Sequence, residues 1–277
     1  MPLVTRHSSR LQSAMGCQIQ VLFAPAEFRA LRQQDLASTT CVVFDVLRAT
    51  STMVAALANG AAGIIPVEEI SEAIALRRER PDALLAGERD GLRISGALTA
   101  GVEFDLGNSP GEYTSERVKG RTIISTTTNG TRALRACAAA ETVLIGSFLN
   151  FSKTVDFVVN RKPRRLLLIC AGTGENAALE DSFAAGAFCG AVIEKLHSCE
   201  MFDSAEIASR AYRQAQQNLL QVIQCSQNGR RLMANAELRE DVAFCLRLDY
   251  HPIAAGMGAE GIATQLQTGD EVGITMP

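Results

Sequence analysis

The chain has 277 residues, 47% of them hydrophobic and 21% charged, which is enough to bury a sizeable core in one large unit or two smaller ones. A formal net charge of −3 argues against a nucleic-acid partner, because polyanions bind to basic surfaces. No stretch approaches the roughly 20 apolar residues that span a membrane, and the first 16 residues lack the apolar core of a signal peptide, so we expect no membrane partner and a cytoplasmic location.

Apolar, β-branched runs alternate with Ala- and Leu-rich segments along most of the chain. Residues 1–16 are predicted to be a flexible N-terminal extension and residues 17–277 a single domain. Strands are predicted at residues 20–23, 41–44, 63–67, 83–85, 122–125, 142–145 and 165–170. Helices are predicted to begin near Thr52, Ile70, Thr131, Leu149 and Leu179. This alternation predicts an α/β fold.

Two stretches, residues 42–73 and 123–154, share one order of features: apolar strand, hydroxyl-rich loop, Ala-rich helix, strand and short polar loop. They are either two related β-α-β-α units in one sheet assembly or the ordinary repetition of an α/β chain. A third loop, in residues 170–188, again follows an apolar strand and enters a helix of small residues. The three loops could converge along one edge of the sheet.

The segments outside these units have different characters. Residues 86–120 are rich in Gly and charge, and a long loop of this kind is usually functional. Residues 204–224 form a clear amphipathic helical pattern, which indicates a scaffold or a dimer face.

The first loop gives the sharpest functional hypothesis. Asp45 ends an apolar run, and Arg48, Thr50, Ser51 and Thr52 follow before an Ala-rich helix. Ligands of α/β proteins sit at the carboxyl ends of strands, where helix-start N–H groups favour anions. The loop therefore predicts an anion site, most simply for phosphate, although an Asp–Arg pair can also merely tie a loop.

The second loop places more hydroxyls at a strand-to-helix junction. It contains Thr126, Thr127, Asn129, Gly130 and Thr131, and backbone N–H groups at such a junction can line an anion cradle. The same residues also suit strand ends and helix caps. The third loop matches GxGxxA at residues 172–177 but lacks a clearly placed acidic partner, so its dinucleotide signal is weak.

Carboxylates accompany these loops. Glu180 and Asp181 begin a helix, and with Asp45 and Glu88 they could supply oxygen ligands for Mg²⁺. The three histidines are isolated, so zinc chemistry has no support.

The eight cysteines form no CxxC pair, and we expect reduced core residues. Cys41 and Arg48 lie one residue too far apart for the loop of cysteine phosphatases.

The segments FDVLRATST, LLAGERDG, FDLGNSPGEY, STTTNGTRAL, IGSFLN and CAGTGENAALEDSFAAGA, in this order, closely resemble the 2-phosphosulfolactate phosphatase (ComB) family. The resemblance runs from about Cys17 to near the C-terminus and implies a three-layer α/β/α fold and a homodimer. It also implies Mg²⁺-dependent hydrolysis of (R)-2-phospho-3-sulfolactate to 3-sulfolactate and phosphate, a step of coenzyme M biosynthesis. Two features depart from the family: residues 91–102 are longer than its usual link, and the N-terminal extension lies outside the resemblance.

The resemblance suggests roles for residues of the motifs. Arg48 and Arg89 are natural clamps for a small anionic phosphorylated substrate, and Asn108 and Ser109 would orient its carboxylate or bridging oxygen. Asp45 would either ligate Mg²⁺ and orient a water or attack phosphorus itself.

Glu180 or Asp181 would act as metal ligand or base, and the DxDxT pattern of the haloacid-dehalogenase phosphatases is absent. A phosphatase for another small acid and a non-catalytic anion- or nucleotide-binding protein remain the alternatives.

Overall fold

The computed structural model describes residues 16–258 and 260–267, and eleven strands in this part of the chain form one sheet. The strands are β1 Cys17–Leu22, β2 Thr39–Phe44, β3 Gly63–Val67, β4 Leu84–Arg89, β5 Leu92–Arg93, β6 Thr122–Thr126, β7 Thr142–Gly146, β8 Arg165–Cys170, β9 Cys199–Met201, β10 Ala254–Met257 and β11 Ala263–Leu266. Their order across the sheet is β5-β4-β6-β3-β11-β10-β7-β2-β8-β1-β9.

Helices follow most of the strands. They are α1 Pro25–Arg29, α2 Ala49–Ala58, α3 Ile70–Glu79, α4 Ser115–Val118, α5 Gly130–Ala136, α6 Phe151–Arg161, α7 Leu179–Lys195, α8 Asp203–Ala215, α9 Leu219–Gln224, α10 Gln227–Met233 and α11 Arg239–Cys245. Among the described helices, none combines the length and apolar character needed to cross a bilayer.

The buried strand β2 shows how the layers arise. Its side chains alternate between the two faces of the sheet, so that Val42 and Phe44 pack in one hydrophobic cluster while Cys41 and Val43 pack in another. The first cluster is covered by α6 to α9 and the second by α1, α2 and α5. Both faces of the strand are therefore apolar, as in a sheet covered by helices on each side. The predicted three-layer α/β/α fold is confirmed.

The two similar stretches, named here the first repeat (residues 42–73) and the second repeat (residues 123–154), exchange strands. Each contains a β-α-β-α unit, β2-α2-β3-α3 in the first and β6-α5-β7-α6 in the second. The strand β2 pairs in parallel with β7, and β3 pairs in parallel with β6. Each strand of one repeat therefore has a strand of the other repeat as a neighbour in the sheet.

A short hairpin joins the two halves of the sheet. The strands β10 and β11 are antiparallel to one another, and β10 also pairs with β7 and β11 with β3 in antiparallel fashion. Three successive antiparallel pairings make the set β4, β6 and β3 run opposite to the set β7, β2, β8, β1 and β9.

Most sequence-based elements agree with the structure within a few residues. The predictions at 63–67 and 165–170 match β3 and β8, and the helices at Ile70 and Leu179 begin where predicted. The helix predicted near Thr52 begins at Ala49, and the amphipathic segment 204–224 divides into α8 and α9. The predicted N-terminal extension, apart from Gly16, lies outside the described residues.

Candidate active site

A cavity of about 270 Å³ lies where loops of both repeats meet. The first repeat contributes Asp45 and Arg48, and the second contributes Thr128 and Asn129. Further walls come from the end of β4, the loop after β8, Asn108, and helix α10. The three predicted strand-to-helix loops therefore do meet at one cavity. They do not follow parallel strands along one edge, as predicted, because β6 runs opposite to β2 and β8. Other lining residues belong to none of the three loops.

Asp45 stands at the centre of this junction. Its Oδ1 accepts the main-chain N–H of Ala49 at 3.0 Å, at the start of α2, where the helix dipole favours an anion. A Cβ atom on Gly130 would lie only 2.6 Å from Oδ2 and 2.5 Å from the Cβ of Ala49, so the second repeat approaches the carboxylate as closely as a glycine permits. Hydrogen bonds within the described residues engage Oδ1 and the main chain of Asp45, which leaves Oδ2 available to a ligand.

The pKa of Asp45 is displaced upward. Burial raises it to about 7, the N–H of Ala49 opposes that rise, the nearby carboxylates of Glu88 and Glu180 add to it, and Arg48 lowers it. The side chain thus holds a carboxylate that needs a neighbouring positive charge to remain ionised. Carboxyl groups in cavities whose pKa is strongly raised are typical of functional sites.

The two repeats close their loops in the same way. In the first, the N–H of Asp45 donates to Thr50 Oγ1 at 2.9 Å, and that hydroxyl donates back to the Asp45 carbonyl at 2.9 Å. In the second, Thr127 and Thr131 make the corresponding bonds at 3.1 and 3.3 Å. The equivalence places Thr127 of the second repeat where the first has Asp45, so only one repeat presents an acid at this position.

The three hydroxyls after Arg48 lie behind the cavity wall. Thr50, Ser51 and Thr52 donate to the main-chain carbonyls of Asp45, Val46 and Asn108, each at 2.9 Å. They are all buried. In this structure they shape the loop, and their predicted contact with phosphate oxygens stays a prediction.

Arg48 lines the cavity but is already engaged. Its Nη1 donates to Asp241 Oδ2 at 2.6 Å and its Nη2 to the carbonyl of Gly91 at 2.6 Å, and only 2% of its side chain is exposed. Ser109 donates to the other oxygen of Asp241 at 2.7 Å. The guanidinium is thus held rigidly at the cavity wall, and the predicted substrate residue Ser109 acts in this structure through Asp241.

Glu88 ties the end of β4 to the second repeat. One oxygen accepts the N–H of Gly91 at 2.7 Å, and the other accepts the N–H of Thr128 at 2.8 Å. Arg89 donates to Thr126 Oγ1 at 3.0 Å and to the Glu88 carbonyl at 2.7 Å. Glu88 lines the cavity, whereas Arg89 and Thr126 lie outside its described lining.

Asp181 and Glu180 support the site from helix α7. Asp181 accepts the N–H groups of Val46 and Gly172 at 2.8 and 3.0 Å, so it joins the loop after β2 to the loop after β8. Burial, followed by the carboxylates of Asp45 and Glu180, raises the pKa of Asp181 well above its usual range. Both acids are buried, and neither is among the residues that line the described cavity.

Glu180 orients an amide of helix α10. Its oxygens accept Asn228 Nδ2 at 2.6 Å and Ser226 Oγ at 3.0 Å. The same Nδ2 donates to Thr173 Oγ1 at 2.6 Å. Asn228 Oδ1 is buried and has no hydrogen-bond partner among the described residues, although Asn228 lines the cavity. An unsatisfied buried acceptor is costly, which points to a ligand or water as its partner.

The loop after β8, which carries the GxGxxA match, forms a tight turn. Gly172 has φ +79, and Thr173 and Asn176 exchange main-chain hydrogen bonds at 2.8 and 3.0 Å. Asn129 donates to the carbonyls of Ala171 and Gly174, both at 3.0 Å. The predicted residue Asn129 thus lines the cavity and also fixes the neighbouring loop.

Helix α10 supplies what the sequence analysis missed. Gln227, Asn228 and Arg231 line the cavity, and Asp241 of α11 holds Arg48. Asn228 lies 48 residues from the Glu180 carboxylate that fixes it. No local motif marks this pairing, since Ser226 and Gly229 indicate only a helix start.

Comparison with known proteins places the chain in a family. The family model described as 2-phosphosulpholactate phosphatase matches residues 27–256. The chain belongs to the 2-phosphosulfolactate phosphatase family. The predicted resemblance is confirmed, and so is the assignment to a family of phosphoric monoester hydrolases.

Relatives named "Probable 2-phosphosulfolactate phosphatase" cover most of the chain. The protein of Caldanaerobacter subterraneus subsp. tengcongensis is 40% identical over 80% of this chain and 89% of its own length. That of Caldicellulosiruptor saccharolyticus is 37% identical over 81% and 91%, and that of Trichormus variabilis 34% over 79% and 89%. The family match therefore includes all the loops that form the cavity.

Proposed function

We propose that the protein hydrolyses 2-phospho-3-sulfolactate to 3-sulfolactate and phosphate, as a step of coenzyme M biosynthesis. The names of its relatives suggest the substrate. The observation that carries the proposal is the buried Asp45 carboxylate, 9% exposed, with Oδ2 available beside Arg48 and Glu88 in one cavity. A carboxyl group with a raised pKa next to a fixed guanidinium suits the binding and hydrolysis of a phosphate ester.

Mg²⁺ is the proposed cofactor, and the oxygen donors of the cavity fit it. Within residues 16–258 and 260–267, no three Asp, Glu, His or Cys side chains converge closely enough to enclose a metal ion. Mg²⁺ is usually held by one or two carboxylates together with waters and substrate phosphate. Asp45 and Glu88 would hold it, with the unpartnered Oδ1 of Asn228 as a further hard donor. When bound, it would neutralise charge on the phosphoryl oxygens.

The remaining roles follow from the contacts of the chain's own residues. Arg48, fixed by Asp241, stabilises charge on the phosphate from the cavity wall. Asp45 orients the attacking water through Oδ2 and accepts its proton. The water oxygen bonds to phosphorus as the bond from phosphorus to the ester oxygen breaks, and the leaving oxygen takes up a proton from solvent to give the hydroxyl of 3-sulfolactate. Glu180 and Asp181 were predicted as metal ligands or bases. In this mechanism Asp181 positions the loops after β2 and β8, and Glu180 positions Asn228.

Direct attack by Asp45 is the competing chemistry. It would leave an aspartyl phosphate, which rapid quenching and mass spectrometry would detect on the peptide containing Asp45. Phosphate found there would replace the water mechanism, whereas its absence during turnover would support it.

Phosphate release with and without Mg²⁺ tests the function. We expect purified protein to release phosphate from 2-phospho-3-sulfolactate with Mg²⁺ and to lose this activity in chelator. Release from another small phosphorylated acid alone would keep the chemistry and change the substrate. No release from any ester, combined with tight ligand binding, would favour a non-catalytic anion- or nucleotide-binding protein.

The proposal includes a cytoplasmic homodimer. All eight cysteines are free, as expected for a reducing compartment. On helix α8, Ile207 is 60% exposed, and Phe202 just before the helix is 41% exposed, which suits a contact between copies. Light scattering should give twice the chain mass, and Ile207→Asp should shift it towards the monomer.

A further inference from the structure

The two arginines of the cavity differ in whether an acid is paired with them. Arg48 and Arg231 are the arginines among its described lining residues. Arg48 is paired with Asp241 at 2.6 Å and also donates to the Gly91 carbonyl. Arg231 makes no salt bridge within the described residues, although nine other arginine or lysine side chains there do. Its guanidinium is therefore not held in an ion pair by any described acid, although acids line the same cavity.

Arg231 lies at the mouth of the cavity. The residue is exposed, and a Cβ atom built on Gly91 would lie 3.7 Å from its Cζ. Gly91 in turn carries the carbonyl that binds Arg48 and the N–H that binds Glu88. The two guanidinium groups thus approach the same backbone segment, Arg48 within the wall and Arg231 at the rim.

Helix α10 fixes Arg231 at this place. Asn228, one turn earlier, is buried and bound to Glu180 and Thr173 at 2.6 Å each. The helix also packs closely at Gly229, where a Cβ atom would lie 1.8 Å from the carbonyl oxygen of Ile223. Residues i and i+3 share a face of a helix, so the anchoring of Asn228 keeps Arg231 directed to the cavity.

The negative charge of the proposed substrate requires a cationic side chain like that of Arg231. The cavity lining already contains the acids Asp45, Glu88 and Asp90. The substrate carries a phosphate, a carboxylate and a sulfonate, and each anion must find a cation or donors to replace water. In the proposed mechanism Arg48 acts at the phosphate, where a metal ion would also act, so the carboxylate and the sulfonate still need donors. The sulfonate, on the carbon next to the ester carbon, extends farther from the phosphate than the carboxylate does.

We propose that Arg231 binds the sulfonate of the substrate at the mouth of the cavity and thereby selects phosphate esters that carry a second, distal anion. This inference rests on the proposed function and names the residue that sets its substrate class. Arg231 acts on binding and specificity, not on the cleavage of the phosphate ester.

Two substrates and two neighbouring arginines test the inference. The enzyme with Mg²⁺ is assayed on 2-phospho-3-sulfolactate and on 2-phospholactate, which has a methyl group in place of the sulfomethyl group and so lacks only the sulfonate. The variants are Arg231→Gln and the matched control Arg230→Gln. Arg230 is also exposed on α10, but it contacts the Cys225 carbonyl and lies outside the cavity lining.

We expect Arg231→Gln to raise KM for the sulfonate substrate and lower its kcat/KM by about tenfold or more, and to change kcat/KM for 2-phospholactate by only about twofold. Arg230→Gln should leave both substrates near wild-type values. An equal loss on both substrates, or no loss on either, would overturn the role of Arg231. A wild-type enzyme that hydrolyses neither ester would instead contradict the proposed function, and with it this inference.

Discussion

The acidity of Asp45 links the site to the stability of the fold. Its carboxyl group has an ordinary pKa of 3.8 and a folded pKa of about 7, chiefly because of burial. The folded state therefore keeps a proton that the unfolded state releases, so stability is fully present below the lower value and declines as the pH rises through the upper one. Without a metal ion, this carboxylate should destabilise the protein at alkaline pH.

Asp45→Asn should abolish turnover and remove this pH-dependent penalty. The amide has a similar shape and cannot ionise. Thermal unfolding of both proteins in chelator should show a stability difference in favour of the variant that grows between about pH 4 and pH 7, by up to about 1.4 kcal/mol per pH unit, and then levels off. A difference that does not change with pH would contradict the burial of a proton on Asp45, and a collapsed variant would mean that the residue mainly supports the fold.

The ion pair between Arg48 and Asp241 makes a second prediction at this scale. Asp241→Ala leaves a buried guanidinium without its acid, because only 2% of the Arg48 side chain and 8% of that of Asp241 are exposed. We expect a loss of about 3–5 kcal/mol in the free energy of unfolding. Chemical denaturation measures it.

Ser109→Ala is the control for this pair. It removes only the hydroxyl contact to Asp241 and should cost about 1 kcal/mol. Equal effects of the two substitutions would mean that the pair contributes little.

The contact between the loops of the two repeats depends on one glycine. Gly130→Ala would place a Cβ atom 2.5 Å from the Ala49 Cβ and 2.6 Å from Asp45 Oδ2, so the acid must move. We expect kcat to fall by about tenfold or more, with a stability loss of about 1–3 kcal/mol. Steady-state kinetics and thermal melts measure the two effects.

Gly190→Ala on helix α7 is the matched control. Apart from the backbone of its own helix, no atom of the described residues lies within 4 Å of its added Cβ. Alanine favours a helix over glycine by about 0.5–1 kcal/mol, so activity should persist and stability should rise slightly. A fully active Gly130→Ala variant would show that the close approach at Asp45 has no role in turnover.

Elements with a strong local signal were predictable, and contacts between distant elements were not. The strands β2, β3 and β8 are apolar runs bounded by polar or Gly-rich segments, which specify strands locally. The hairpin β10 and β11 is short and depends on strands β7 and β3, so its sequence alone gives little signal.

The site divides in the same way. Asp45, Arg48, Glu88, Asn108 and Asn129 stand in recognisable loops and do line the described cavity. In the sequence, the hydroxyls of residues 50–52 are equally consistent with donors to a phosphate and with hydrogen bonds that stabilise the loop. Only the fold shows that they donate to main-chain carbonyls. Asn228, Arg231 and Asp241 enter through tertiary packing of the C-terminal helices.

At the scale of the whole molecule, strand exchange should make unfolding cooperative. Neither repeat can lose its strands without breaking the pairing of the other, since β2 pairs with β7 and β3 with β6. We expect one calorimetric transition, with the calorimetric and van't Hoff enthalpies equal, and similar hydrogen-exchange protection in both pairs of strands. Two separate transitions, one for each repeat, would contradict this coupling.

The same exchange makes the chain separable into complementary pieces. Gly101 is exposed, and apart from its chain neighbours no described residue would lie within 4 Å of a Cβ atom added there. A break after Gly101 gives fragments 1–101 and 102–277, each with half of the exchanged strands. Co-expressed fragments should reassemble and recover activity that neither has alone. Fusion of two strand-swapped subunits after gene duplication would give this connectivity, and the acid kept in one loop, against Thr127 in the other, would leave a single catalytic centre in place of two.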